Sequence, residues 1–116
     1  MTLASSFRIK NSKRIEEVKL NGKLYQNPNF GVCILKREDD DVPKFAFVVS
    51  TKVSKGAVHR NRITRSLNEG VRRSLYKIPK GIDFVFLAKR SLDTKTTEVI
   101  IREVEIFFSE HKFKNE

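Results

Sequence analysis

The residues of this sequence that are best suited to chemistry are a group of basic and polar side chains between positions 52 and 77. The group contains Lys52, Lys55, Arg60, Asn61, Arg62, Arg65, Arg72 and Arg73. An arginine stays charged at every relevant pH, and its planar fork bonds two phosphate oxygens at once. A helix that begins near this group adds free backbone N–H groups and the positive end of its dipole. The chemistry indicated is phosphate binding that does not read base sequence.

The segment from Ala57 to about Tyr76 is predicted to be the helix that positions these side chains. At about 100° per residue, it has an apolar face and an opposite basic face. The apolar face contains Ile63, Leu67, Gly70, Val71, Ser74 and Leu75, and the basic face contains Arg62, Arg65, Arg72 and Arg73. Arg60 lies outside this stripe, near the helix start, where it is expected to reach over the neighbouring sheet. The alternative is a solvated face that only balances charge, with Glu69 and Arg73 as an i,i+4 pair.

Composition favours a nucleic-acid partner for this face. The chain has 116 residues, 24 Lys and Arg against 14 Asp and Glu, and a formal charge of +10, which indicates a polyanion such as nucleic acid or an anionic membrane. No apolar run suits a membrane helix or a signal peptide, so we expect no membrane partner. Cys33 is the only cysteine, which excludes an internal disulfide and predicts a cytoplasmic location.

Three other features contain side chains suited to catalysis or metal binding, but they are expected to do neither. The acidic run 38–41 could bind magnesium, but a consecutive run in a loop is more often solvated. His59 lacks an evident partner that would make it a general base, and His111 lies in a distant helix. Cys33 has no visible base to activate it. We therefore predict no catalytic residue, no metal site and no protein-bound cofactor in the chain.

Hydrophobic periodicity predicts a single α+β domain that spans residues 1–116, with two packed layers. The predicted helices cover 8–20, 57–76 and 94–112, and the predicted strands cover 23–25, 30–35, 44–50 and 82–88. The strands 30–35 and 44–50 are expected to form a hairpin around the charged loop 36–43. Ile9, Ile15, Val18 and Leu20 are the apolar points of the first helix.

The two strands of this expected hairpin each have one bulky face. Phe30, Val32, Ile34, Phe45, Phe47 and Val49 should pack in the core. The opposite face, called here the small-residue face, contains Gly31, Cys33, Leu35, Ala46, Val48 and Ser50. It would form a shallow floor that lies either under a helix or open to a ligand. Phe107 and Phe108 are predicted to be core residues, and Phe113 is left open as a possible RNA-stacking residue.

Three segments taken together resemble the protein subunit of bacterial ribonuclease P. They are 45–52 (FAFVVSTK), 57–69 (AVHRNRITRSLNE) and 83–88 (DFVFLA), and the likeness extends from about residue 8 to the last helix. The resemblance implies a mixed four-stranded sheet packed with helices in the ribosomal protein S5 domain 2-like fold. It also implies a left-handed βαβ crossover, contrary to the usual right-handed rule.

The resemblance further implies a function in which the catalytic centre belongs to an RNA. That enzyme removes the 5′ leader from precursor tRNA, and magnesium ions act on phosphate with the RNA subunit. The implied partners of the protein, itself expected to be monomeric, are the catalytic RNA subunit and precursor tRNA. Lys52, Arg60, Asn61, Arg62 and Arg65 match the family motif that docks on RNA. A cleft between the sheet and the helix that carries this motif is implied to hold the single-stranded leader.

The sequence departs from the family pattern at several positions of that interface. Thr64 and Asn68 stand where basic residues are common, and Val71 replaces a frequent aromatic. Aromatics expected in the leader cleft are replaced by Ile15, Lys19 and Cys33. The expected cleft residues are therefore Ile15, Lys19, Cys33, Ala46, Val48 and Ser50, and we hypothesise that they hold the leader more by charge than by stacking. A general RNA-binding or ribosomal protein, and a self-sufficient nuclease, are the alternative functions.

Overall fold

The computed structural model describes residues 3–113 as an α+β fold with three helices around one four-stranded sheet. The elements in chain order are α1 (Ser12–Asn21), β1 (Lys23–Gln26), β2 (Phe30–Lys36), β3 (Lys44–Val48), α2 (Ala57–Ser74), β4 (Ile82–Ala88) and α3 (Thr97–Glu110). Short 3₁₀ turns cover Ser5–Phe7, Leu75–Lys77 and Arg90–Thr94. The last of these turns includes Thr94, where the final helix was predicted to begin. α3 begins later, at Thr97, and the Thr96 side chain caps it by accepting a hydrogen bond from the Val99 N–H.

The strand order is β1-β2-β4-β3, so the predicted hairpin between β2 and β3 is wrong. β4 lies between them, antiparallel to β2 and parallel to β3. The physical reason is burial, because β4 is apolar on both faces over Phe84, Val85 and Phe86, and such a strand is most stable at the centre of a sheet. The connection from β3 through α2 to β4 is therefore a βαβ crossover, and its left hand stays a prediction of the resemblance.

The bulky face of the sheet packs against α2 and α3, as the alternation predicted. Phe30, Val32 and Phe45 are buried there with Phe84 and Phe86 of β4, and Ile34, Phe47 and Val49 are partly buried against them. The helices contribute Ile63, Leu67, Val71, Ile100, Val104 and Phe108. Gly70 lets α2 approach α3 closely, because a Cβ at this position would lie 2.5 Å from the Cβ of Val104.

The small-residue face is covered in part by α1. The fold therefore has three layers, with α1 on one side of the sheet and α2 and α3 on the other, where two layers were predicted. Val18 packs against Cys33, Ala46 and Val85 in a second apolar cluster. Leu20, predicted to be an apolar point of this helix, is 81% exposed, because α1 covers the sheet with the face that carries Val18. α1 also starts at Ser12 rather than at residue 8, with the Asn11 side chain accepting from the Lys13 N–H.

A buried carboxylate ties α1 to the sheet. Asp83 of β4 is 1% exposed and accepts hydrogen bonds from Arg14 of α1, at 2.6 Å, and from Arg37 after β2. Arg37 also donates to the carbonyls of Asp41 and Val42, so the same guanidinium orders the loop before β3. Two arginines on one buried carboxylate satisfy its charge in the interior.

Candidate nucleic-acid interface

The basic face of α2 is present, and its arginines without a carboxylate partner among the described residues lie in the N-terminal half of the helix. Ile63, Leu67, Gly70, Val71 and Ser74 are buried on the opposite side, as predicted, and Leu75 is half-buried. Arg65 and Asn61 are exposed and Arg62 is half-buried. Within residues 3–113 the guanidinium groups of Arg62 and Arg65 form no hydrogen bond and no ion pair. These two arginines are therefore available to an external anion.

Arg60 differs from its prediction, because it turns back on the loop that precedes α2. Its Nη1 donates to the carbonyl oxygens of Ser54, at 3.0 Å, and Lys55, at 2.8 Å. These carbonyls lie just before the helix, within reach of the guanidinium. The side chain therefore donates to them instead of extending over the sheet. Arg60 thus ties the start of α2 to Ser54 and Lys55 of the turn that precedes it.

Arg72 and Arg73 lie on the predicted face but share a carboxylate. Arg72 donates to both oxygens of Glu69, at 2.8 and 2.6 Å, and Arg73 donates to Glu69 at 2.9 Å. The hydrogen bond from Arg72, aided by that from Arg73, lowers the pKa of Glu69 to about 2. The Glu69–Arg73 pair was expected from spacing, whereas the two-pronged Arg72 contact was not. The C-terminal half of this face is partly neutralised by Glu69.

Thr64 and Asn68, the two positions where the resemblance implied basic residues, do not extend the basic face. The Thr64 hydroxyl donates to the Arg60 carbonyl, and the Asn68 amide donates to the Thr64 carbonyl. Asn68 is 2% exposed, so its side chain belongs to the helix packing rather than to the surface. Short polar side chains that bond the preceding turn in this way are common within helices.

One basic residue beside the helix start was missed by sequence reasoning. Arg90, which follows β4, donates from Nε to the carbonyl of Lys52 at 3.3 Å. Lys52, Lys55 and Arg90 line an open depression of about 600 Å³ together with Thr51, Val53, Ser54 and Asp93. No linear spacing signals this arrangement, because Arg90 and Lys52 are 38 residues apart and meet only when β4 lies beside β3.

The expected leader-cleft residues divide into a covered set and an accessible set. Cys33 and Ala46 are 3% and 8% exposed beneath Val18, so they cannot contact a substrate directly. The physical reason is the small size of both side chains, which lets α1 approach the sheet. Ile15 and Val48 are half-buried, and Lys19 and Ser50 are exposed. Ser50 also lies beyond the end of β3, where its hydroxyl accepts a hydrogen bond from the Lys52 N–H.

The position of this cleft also differs from the expectation. A cleft between the sheet and α2 is closed, because α2 buries Ile63, Leu67 and Val71 directly against the bulky face. The small-residue face lies on the other side of the sheet, next to α1. Its half-buried residues are Leu35, near the end of β2, and the row formed by Val48 and its β4 partner Leu87. The implied cleft beside α2 is therefore excluded, and the α1 side of the sheet, where Ile15 and Lys19 were expected, is the candidate leader surface that remains.

Cys33, His59 and the acidic loop 38–41 show no arrangement suited to catalysis or metal binding. Cys33 is a buried strand residue, and burial raises the pKa of its thiol, although Lys19 opposes this shift. His59 is an exposed helix residue, as expected. In the acidic loop, hydrogen bonds from Arg37 lower the pKa of Asp39, and the Val42 N–H lowers that of Asp41. Across residues 3–113 no group of three or more His, Cys, Asp or Glu could hold a metal ion, and no helix there is long and apolar enough to span a membrane.

Comparison with known proteins gives the same family in sequence and in structure. A family model described as Ribonuclease P matches residues 3–112. The ribonuclease P protein component of Carboxydothermus hydrogenoformans is 34% identical over 85 residues, which covers 72% of each chain. That of Synechocystis is 29% identical over 110 residues, 95% of this chain and 89% of the relative.

Solved structures share the fold. A mutant of the Staphylococcus aureus ribonuclease P protein, described as defective in mRNA degradation activity, superposes with a TM-score of 0.82 at 24% identity, covering 90% of this chain and 87% of that one. The Thermotoga maritima protein gives a TM-score of 0.78 at 24% identity over 91% of this chain and 98% of its own.

Proposed function

The chain belongs to the ribonuclease P protein family, and we propose that it binds the catalytic RNA of that enzyme and the 5′ leader of precursor tRNA. In this role it promotes removal of the leader by an endoribonuclease whose active centre is in the RNA. The single observation that carries the proposal is the accessible arginine pair Arg62 and Arg65 on α2. The pair lies on the helix that starts beside the depression lined by Lys52, Lys55 and Arg90.

The docking step uses charge and backbone geometry. Arg62 and Arg65 project from the first half of α2, and the 51–56 turn ordered by Arg60 places Lys52 and Lys55 near the same helix end. Contacts of this kind fix the orientation of an RNA through its phosphates. Arg72 and Arg73 contribute less in the free protein, because Glu69 competes with phosphate for both guanidinium groups.

The leader would cross the α1 side of the sheet. Val48 and Leu87 provide a narrow apolar strip there, Ser50 offers a hydroxyl at its end, and Ile15 and Lys19 project from α1. Lys19 lies 3.5 Å from Glu16, a long and exposed ion pair that a phosphate can replace at little cost. Because none of these side chains is aromatic, we expect the leader to be held mainly by charge.

Magnesium enters the proposal only with the RNA. The described part of the chain offers no cluster of ligands for a metal, and the acidic loop carboxylates Asp39 and Asp41 are engaged with Arg37, Lys44 and backbone N–H groups. The ion would supply charge stabilisation at the scissile phosphate, bound by RNA oxygens. The contribution of the protein is to hold RNA and leader in register.

Cleavage of precursor tRNA at low magnesium concentration tests this function. Three mixtures are compared: the protein alone, the catalytic RNA alone, and both together. We expect cleavage only in the combined mixture, since the protein then replaces magnesium in neutralising phosphate repulsion. Cleavage by the protein alone would show a self-sufficient nuclease. Equal rates with and without protein would indicate a general RNA-binding protein.

A further inference from the structure

A second surface with the composition of a nucleotide site lies at the β1 edge of the sheet, on the face opposite the small-residue face. Here the bulky face of the sheet continues beyond the end of α3, and the segment after that helix folds over it. The resulting cavity has a volume of about 250 Å³. Ile34 and Ile82 form its apolar floor, and Tyr25, His111 and Phe113 form its walls. We call it the β1–α3 cavity.

The walls of the β1–α3 cavity are aromatic rings fixed by one another. The His111 ring meets Tyr25 edge to face at a centroid distance of 4.7 Å and meets Phe113 at 4.6 Å. Phe107 stacks on His111 at 5.4 Å from inside the protein. All three wall residues are half-buried, so each retains an accessible surface. Such rigid rings can contact a planar ligand with little loss of side-chain entropy.

The rim of the cavity is positively charged. Lys23, Lys36 and Lys112 line it, and no carboxylate is found among the described residues that do so. The Lys23 ammonium lies 5.4 Å from the centre of the Tyr25 ring, directly beside the cavity. Burial, together with the charge of Lys23, lowers the pKa of His111, so its imidazole is mostly neutral at pH 7 and behaves as a flat polar ring.

We propose that the β1–α3 cavity binds one base of single-stranded RNA, with the adjoining phosphates held by Lys23 and Lys112. Aromatic side chains interleaved with basic ones are the usual means of holding single-stranded nucleic acid. The volume is below the roughly 300–1,000 Å³ of pockets for drug-sized ligands, which limits the occupant to about one base. The choice of RNA as the polymer rests on the proposed function.

The location makes this contact independent of the basic face of α2. β1 and β3 are the two edges of the sheet, and the chain enters α2 from the β3 edge. Three strand spacings of about 4.8 Å separate these edges by roughly 14 Å. An RNA that reaches both places therefore contacts the protein at two separate points, of which the β1–α3 cavity recognises an unpaired nucleotide.

Histidine NMR tests the inference, because the chain contains only two histidines, His59 near the start of α2 and His111 in the cavity wall. The imidazole signals are assigned with His59→Gln, and the protein is then titrated with triuridylate at low salt. We expect a saturable shift of the His111 signal that persists in Arg62→Ala. Phe113→Leu, which keeps apolar bulk, should weaken the apparent affinity at His111 by about five-fold or more, the lower bound for losing one stacked base.

A pair of charge-matched variants completes the experiment. Lys23→Gln with Lys112→Gln should weaken the His111 response, whereas Lys10→Gln with Lys13→Gln, which removes equal charge near α1, should leave it unchanged. An unaltered His59 signal checks that each variant is folded. A silent His111 signal, or an equal shift with inorganic phosphate at the same concentration, would overturn the inference. Cleavage of precursor tRNA by the wild-type protein with the catalytic RNA is measured separately. If that mixture does not cleave, the result counts against the proposed function and not against base binding in the cavity.

Discussion

At the scale of single residues, the arginines of α2 are not equivalent, although the sequence presents them as one stripe. Arg62 and Arg65 lack a described carboxylate partner, Arg60 bonds two backbone carbonyls, and Arg72 and Arg73 share Glu69. The helical period was sufficient to place all of them on or near one face. It could not reveal their partners, because a backbone carbonyl leaves no mark in the pattern of residue types. Within one motif, Arg60 thus supports the turn before the helix, whereas Arg62 and Arg65 are available to bind RNA.

Arg62→Ala should weaken binding to the catalytic RNA without unfolding the protein. The side chain makes no polar contact within residues 3–113, so its loss should change the free energy of unfolding by less than about 0.5 kcal/mol. The slope of log affinity against log salt should decrease by about one counterion. Filter binding over a salt series measures this. Arg102→Ala, which removes the same charge from the exposed surface of α3, is the control, and an equal effect in both variants would contradict a specific role for Arg62.

Arg60→Ala should instead destabilise the protein, because it releases the Ser54 and Lys55 carbonyls and loosens the 51–56 turn. We expect a loss of about 1 kcal/mol in urea unfolding, together with weaker RNA binding. If Arg60→Ala is as stable as the wild type, the two hydrogen bonds do not order the turn.

Glu69→Gln should tighten RNA binding at pH 7 by releasing Arg72 and Arg73, while lowering stability. The folded-state pKa of Glu69, about 2, lies below its ordinary value of 4.5. The ion pairs therefore contribute fully above about pH 4.5, and their contribution is lost as the pH falls toward 2. The stability difference between wild type and Glu69→Gln should accordingly shrink over that interval in urea unfolding. A difference that stays constant with pH would show that the carboxylate is not the group involved.

At the scale of elements, the two faces of the sheet could be predicted and the order of its strands could not. Alternation within β2 and β3 distinguished the bulky face from the small-residue face. The charged loop 36–43 suggested a hairpin, yet β4 takes the central position because it is apolar on both faces. Pairing partners depend on burial summed over the whole sheet, which short-range turn signals do not contain. For the same reason the sequence did not predict the contact of Arg90 with Lys52, which exists only because β3 pairs with β4.

Asp83 is the residue on which the position of α1 depends. Asp83→Asn removes the buried charge that Arg14 and Arg37 share, although Arg14 keeps its pair with Glu17 and Arg37 keeps its pair with Asp39. Breaking a buried ion pair from one side costs about 3–5 kcal/mol, and because these two pairs remain we expect urea unfolding to show a loss near the lower end of this range. Asp40→Asn, in the exposed loop, is the matched control and should change stability little. A small effect of Asp83→Asn would mean that apolar packing alone positions α1.

At the scale of the whole molecule, the net charge of +10 and the solitary Cys33 indicated the class of partner but not its identity. The family resemblance identified the expected partner, because it depends on the Arg-Asn-Arg triplet of α2 together with the strands before and after that helix. The structure closes the cleft that the resemblance implied beside α2, and it leaves the α1 side of the sheet, where Ile15 and Lys19 were expected to contact the leader. Composition could not predict this, since it does not record which helix covers which face.

The most direct test of the central claim is the affinity of the assembled RNA–protein complex for precursor tRNA relative to mature tRNA. If the protein holds the leader, adding it should raise affinity for the precursor more than for the mature form, and this preference should vanish as the leader is shortened. The preference should also fall steeply with salt, because charge rather than stacking holds the leader. An equal increase in affinity for both tRNAs at every salt concentration would contradict the account.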